Sequence, residues 1–166
     1  MEIGLSLGSN LGNRLGNLHD AIRWLAALPD TRVVAEAPVY ETEPVGVRPE
    51  FAHLAYLNTV VIIESELPLS TLSTAVHTIE AQMGRVRGED RNAPRPVDID
   101  VLYAGTITRA DGILDLPHPR WAQRRFMVQP LADVRPDLCL PGESRTVAEI
   151  LAALPATETV RVFSPG

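Results

Sequence analysis

The chain has 166 residues, 45% of them hydrophobic and 22% charged, and its formal net charge is -6. That length suits one domain spanning residues 1–166, and no run of about 18 apolar residues offers a membrane span. The acidic surplus argues against a binder of nucleic-acid backbones, and because all 15 basic residues are arginine a Walker-type lysine, a kinase strand lysine and a Schiff-base lysine are excluded.

Residues 2–8, EIGLSLG, read as a first strand, followed by the turn GSNLGNRLGN. Leu15, Leu18, Ile22, Leu25 and Leu28 recur at helical spacing, and Pro29 and Asp30 end that helix. Residues 32–42, rich in β-branched side chains, predict a second strand; 43–53, with two prolines and a glycine, predict a long loop. A third strand is expected over 56–66, and Pro68 opens a second helix whose stripe is Leu69, Leu72, Val76, Ile79 and Met83, stopping at Gly84. After a loop over 84–96, residues 97–105 form a fourth strand. The order βαββαβ predicts an α+β, ferredoxin-like core with C-terminal additions. Those additions include a short helix near 120–125, an unassigned segment over 126–134, a helix opened by the capping box of Thr146 and Glu149, and a last strand over 159–163.

The fourth strand carries the chemistry. Strand alternation sends Val97, Ile99 and Val101 to one face and both Asp98 and Asp100 to the other, roughly 6 to 7 Å apart at the backbone. Such a pair is either the solvated side of an edge strand or a seat for a hard cation such as Mg²⁺, whose remaining ligands are waters and phosphate oxygens. Arg85, Arg87, Arg91 and Arg95 crowd the loop just before it. They either form surface ion pairs with Glu89 and Asp90, or present guanidinium forks to the phosphates that such a metal accompanies. A second cluster, PHPRWAQRRF, adds His118, Arg120, Arg124, Arg125 and Phe126. Tyr56 and Asn58 share a strand face, where an asparagine either ties down a loop or offers a donor and an acceptor to a heterocycle. His77 and Glu80 lie three apart on the second helix, as a surface pair or as residues on the nucleotide side. Gly8, Gly12 and Gly16 fit no nucleotide-binding glycine motif and read as a structural turn.

In combination, APRPVDIDVLY resembles the signature of the 6-hydroxymethyl-7,8-dihydropterin pyrophosphokinase family, and LGSNLGNR, YLNTVV, IEAQMGRVR and LPHPRWAQRRFMVQPL resemble its other blocks in order. The resemblance extends from about Gly4 to Leu131. It implies a ferredoxin-like fold and transfer of pyrophosphate from ATP to the pterin hydroxymethyl group in folate biosynthesis. It further implies Asp98 and Asp100 as ligands of two Mg²⁺ ions with ATP, and Arg85 and Arg95 as catalytic loop arginines. Arg87, His118 and Arg124 fall at the triphosphate, His77 and Glu80 near the nucleotide, and Thr42, Val45, Tyr56, Asn58 and Phe126 at the pterin. Asn92, Val45, Pro119 and Gln123 depart from residues familiar in the family, which bears on loop closure and affinity more than on the reaction type.

Two other classes compete. A metal-dependent nucleotidyltransferase also mounts paired aspartates on such a sheet and would release pyrophosphate; an RNA-binding or regulatory module would bind without turnover. RNA binding calls for a basic face and exposed aromatics, and only 5% of the chain is aromatic. The opening residues MEIGLSLGSN lack the features of a signal peptide, and a lone Cys139 suits a reducing compartment, so the expectation is a cytoplasmic monomer with no nucleic-acid or membrane partner.

Overall fold

Strand β1 (Glu2–Ser9) runs between β4 (Tyr56–Ser65) and β5 (Asp98–Ala104) in the computed structural model, which describes residues 1–42, 55–84, 96–155 and 160–163. A strand enclosed on both faces has no polar side to present, so its sequence reads as an apolar run; Ile3, Leu5, Leu7 and Leu57 are fully buried, as are Val60 to Ile63 of β4. β2 (Thr31–Glu36) and β3 (Tyr40–Thr42) pair with successive parts of β4, and β6 (Val160–Val162) pairs with β3. The strand order is β5-β1-β4-β3-β6, with β2 also on β4, and each of these pairings is antiparallel.

Two apolar layers sandwich the sheet. Leu5, Leu7, Val61, Ile63, Ile99 and Val101 project onto α1 (Arg14–Ala26) and α2 (Leu69–Gln82), where they pack with Leu18, Leu25, Leu72, Val76 and Ile79. This back layer is the expected ferredoxin-like core. Val60, Ile62 and Tyr103 project the other way onto α3 (Arg125–Val134) and α4 (Val147–Ala153), meeting Met127, Val128, Leu131 and Ile150. The C-terminal additions thus cover the front.

Three sequence expectations need correction. The strand expected over 32–42 is two strands, because Pro38 lacks the N–H that a continuous ladder needs; the connection is held instead by Ala37 N–H to the Val60 carbonyl and by the Thr59 hydroxyl to the Ala37 carbonyl. The helix expected near 120–125 is a 3-10 turn over Trp121–Gln123. The unassigned segment that follows is helix α3, with Pro130 inside it. Its buried positions Met127, Val128 and Leu131 have helical spacing that the internal proline hides from a sequence reading. The capping box is present, with Thr146 Oγ1 accepting the Glu149 N–H at 3.1 Å and Glu149 Oε1 accepting the Thr146 N–H at 2.9 Å.

A half-buried cluster ties the front layer to the sheet. Arg135, at the end of α3, donates to the Glu2 carboxylate from Nη2 at 3.0 Å and from Nε at 3.3 Å, and the Tyr103 hydroxyl donates to the same carboxylate at 2.6 Å. The bond from Arg135 holds Glu2 below the usual carboxylate range, while burial and the neighbouring Glu2 push the Tyr103 phenol up. The tyrosine ring crosses β1 at Gly4, where an added Cβ would stand 2.3 Å from Tyr103 Cε1. Gly4→Ala therefore forces the ring off its seat at an overpacking cost of about 1 to 3 kcal/mol. Thermal unfolding should register this as a loss of about 2 to 4 °C per kcal/mol; an unchanged Tm would mean that the Tyr103 ring is not held there.

Candidate active site

Antiparallel register places directly opposed residues on the same face of a sheet. Gly8 is opposite Asp98 on β5 and opposite Asn58 on β4, and Asn58 is opposite Tyr40 on β3. One row across the front face therefore reads Asp98, Gly8, Asn58, Tyr40. In the next row Asp100 lies opposite Ser6, and at the other end Thr42 lies opposite Tyr56. The front face is thus apolar under α3 and α4 and polar beside them.

Asp98 and Asp100 are both half-buried, while Val97, Ile99 and Val101 between and beside them are in the core. The alternation expected from the sequence is present. Among the described residues no group of three or more His, Cys, Asp or Glu side chains converges, and β5 itself offers the carboxylate pair Asp98 and Asp100. That set fits Mg²⁺, which usually takes one or two carboxylates and completes its shell with water and substrate phosphate.

Asn58 is 4% exposed, and its Nδ2 donates to Thr42 Oγ1 at 2.5 Å. Its Oδ1 hangs over Gly8, where a Cβ would come within 2.9 Å of it and within 3.5 Å of Tyr56 Cδ1. Thr42, Tyr56 and Asn58 are therefore one wall, and Gly8 is its floor. Sequence reasoning placed Gly8 in a structural turn and missed this role. The one available signal was its position two residues after Ser6 in the strand alternation, which puts it on the front face. Tyr40 closes the row by donating its hydroxyl to Asp133 of α3; burial and Asp133 push that phenol up to about 12.

His118 is fixed from two directions. Its N–H donates to the Leu102 carbonyl at 2.8 Å, and its Nδ1 accepts the Arg120 N–H at 3.1 Å. With Nδ1 occupied as an acceptor, the neutral ring carries its proton on Nε2. Burial, reinforced by Arg124 and Arg120, lowers the His118 pKa against the opposing pull of Asp115 and Asp98. The ring is therefore a neutral Nε2–H donor at pH 7 within the electrostatic reach of Asp98. Arg124 precedes α3, and its guanidinium lies over the Phe126 ring, 5.8 Å from the centroid.

The α2 pair divides. His77 is exposed on the helix, whereas Glu80 is 2% exposed and its Oε2 accepts the Ile99 N–H at 2.9 Å. A His77–Glu80 surface pair is therefore ruled out by burial. Glu80 supports the outer edge of β5 at the residue between the two aspartates. Val45, Arg85, Arg87, Arg91 and Arg95 lie outside the described residues.

The profile of the 7,8-dihydro-6-hydroxymethylpterin-pyrophosphokinase family matches residues 4–136. A 2-amino-4-hydroxy-6-hydroxymethyldihydropteridine pyrophosphokinase of Methylorubrum extorquens is 42% identical over 95% of this chain and 96% of its own length. The protein of the same name from Pseudomonas aeruginosa is 37% identical over 93% of this chain and 92% of its own. A solved HPPK-DHPS structure in complex with substrates shares the fold, with a TM-score of 0.66 at 14% identity over 91% of this chain. This chain spans 43% of that longer protein. By the extent of the family match and by the two full-length bacterial relatives, the chain belongs to the 7,8-dihydro-6-hydroxymethylpterin-pyrophosphokinase family.

Proposed function

We propose that the chain transfers pyrophosphate from ATP to 6-hydroxymethyl-7,8-dihydropterin, giving AMP and the pterin diphosphate in folate biosynthesis. The observation that supports this reading is the row Asp98, Gly8, Asn58, in which a carboxylate suited to Mg²⁺ and a carboxamide suited to a heterocycle share one sheet face. The full-length relatives named as pyrophosphokinases support it. A nucleotidyltransferase would need the carboxylates but not that wall.

The reaction is attack of the pterin hydroxymethyl oxygen on the β-phosphorus of ATP, with AMP as leaving group. Transfers of this kind depend on positioning and charge neutralisation, so no nucleophilic side chain is required. Asp98 and Asp100 are the residues that would hold two Mg²⁺ with ATP, and bound Mg²⁺ supplies neutralisation and polarisation of the phosphate oxygens. His118 through Nε2–H and Arg124 through its fork donate to the phosphates. Arg85, Arg87 and Arg95, matched by the family blocks, take the remaining phosphate charge. Asn58 orients the pterin by its carboxamide, with Tyr56 and Phe126 against the ring and Thr42 and Val45 beside it. His77 sits on the nucleotide side, and Glu80 acts on the same side through the Ile99 amide. The free, exposed Cys139 suits the cytoplasm.

The direct test incubates the protein with Mg-ATP and the pterin and separates the nucleotides. AMP formed only in the presence of pterin is the expected result; ADP, or free pyrophosphate as product, would contradict it. Asp98→Asn and Asp100→Asn should each lower kcat by about 100-fold or more, with the fold retained by circular dichroism. Near-normal turnover in either would remove the metal seat from the account. For His118, imidazole NMR should find the Nε2–H form at pH 7 and a titration midpoint below the ordinary 6.5. A midpoint at or above that value would contradict its assignment as a neutral donor.

A further inference from the structure

Behind the pterin wall lies a group that the reaction does not use. Glu41 stands between Tyr40 and Thr42 on β3, so alternation turns its side chain away from the front face. Arg14, the first residue of α1, donates from Nη1 to Glu41 Oε2 at 3.2 Å and to the Ala55 carbonyl at 2.9 Å. One guanidinium thereby links the middle residue of β3 to the residue before β4. Arg161 of β6 donates to the other Glu41 oxygen at 3.2 Å, the Phe163 ring lies 5.7 Å from the Arg14 guanidinium, and the Phe163 N–H donates to the Val39 carbonyl at 2.8 Å. The family match ends at residue 136, so β6 is supplied by chain beyond it.

We infer that Arg14 is a positioning residue for the pterin wall, acting through Glu41 and the Ala55 carbonyl, with β6 completing the brace. The inference rests on the proposed pterin reading of Thr42, Tyr56 and Asn58. β3 is only three residues long, and a ladder that short fixes little by itself. Yet Thr42 at its end holds the Asn58 carboxamide, so any drift of β3 across β4 misdirects that amide. An exposed ion pair contributes about 0 to 1 kcal/mol and orders little. This one differs: its side chains are 28% and 21% exposed, one nitrogen, Nη1, donates to both acceptors, and the guanidinium lies over the Phe163 ring, a contact that suits arginine better than lysine.

The test uses the full chain and four variants: Arg14→Ala, Arg14→Lys, Glu41→Gln and the double variant Arg14→Ala with Glu41→Gln. Arg14→Ala should raise the pterin KM by about tenfold, with kcat and the ATP KM within about twofold. Arg14→Lys should recover part of that loss. The double variant should be little worse than the first, because the two residues act along one path. The Asn58 side-chain amide resonance should shift in Arg14→Ala without any substrate, which reads the wall even if the chain proves to catalyse another reaction. A pterin KM within twofold together with an unmoved Asn58 resonance would overturn the inference. So would equal rises in both KM values with a lower Tm, the signature of a purely structural pair. Should Arg14→Ala fail to fold, Arg161→Ala leaves Arg14 in place, and the same two readouts should move in the same direction by about threefold or less; no movement in either would overturn the inference.

Discussion

Everything at the site depends on the register of one strand. β1 pairs with β4 through Gly8 and Asn58 and with β5 through Gly8 and Asp98, so the two ladders of β1 set where Asn58 and Asp98 stand relative to each other. A slip of one residue in either pairing would send every side chain of the partner strand to the opposite face. The buried leucines and isoleucines of β1 and β4 prevent such a slip, because it would move the back core into the front layer. The packing of the apolar residues and the placement of the polar ones are the same constraint seen from two sides.

Around that register the fold supports the site from its edges rather than from beneath. Glu80 satisfies the edge amide of Ile99, so the strand carrying both aspartates does not end on an unpaired donor. Tyr40 and Asp133 tie the row to α3, and the Glu2, Tyr103 and Arg135 cluster ties the other end of α3 to β1. Helix α3 in turn presents Phe126 with Arg124 beside it. Each anchor is a long-range contact between residues far apart in sequence.

Much of this was legible in the sequence, for identifiable reasons. Asp98 and Asp100 alternate with Val97, Ile99 and Val101, and period-two alternation needs no tertiary knowledge to read. The stripes of α1 and α2 were equally plain, as was the capping box at Thr146. The break at Pro38 was not weighed against the β-branched run around it, and Pro130 concealed α3 because proline inside a helix normally argues against one. For Glu80 the sequence left a surface pair and a nucleotide-side position open, because the bond that decides against the surface pair goes to β5, 19 positions away. Gly8 and Arg14 were missed for the same reason: each acts through residues on β3, β4 or β5, and no local pattern records such a contact.

The proposed pterin site stands or falls with Gly8 as the floor beneath Asn58 and Tyr56. It is tested most directly by titrating Gly8→Ala with the pterin and, separately, with Mg-ATP. A methyl at that position meets Asn58 Oδ1 at 2.9 Å, so pterin binding should weaken by about tenfold or more, with nucleotide affinity within about twofold. Unchanged pterin affinity, or an equal loss of both ligands, would contradict it.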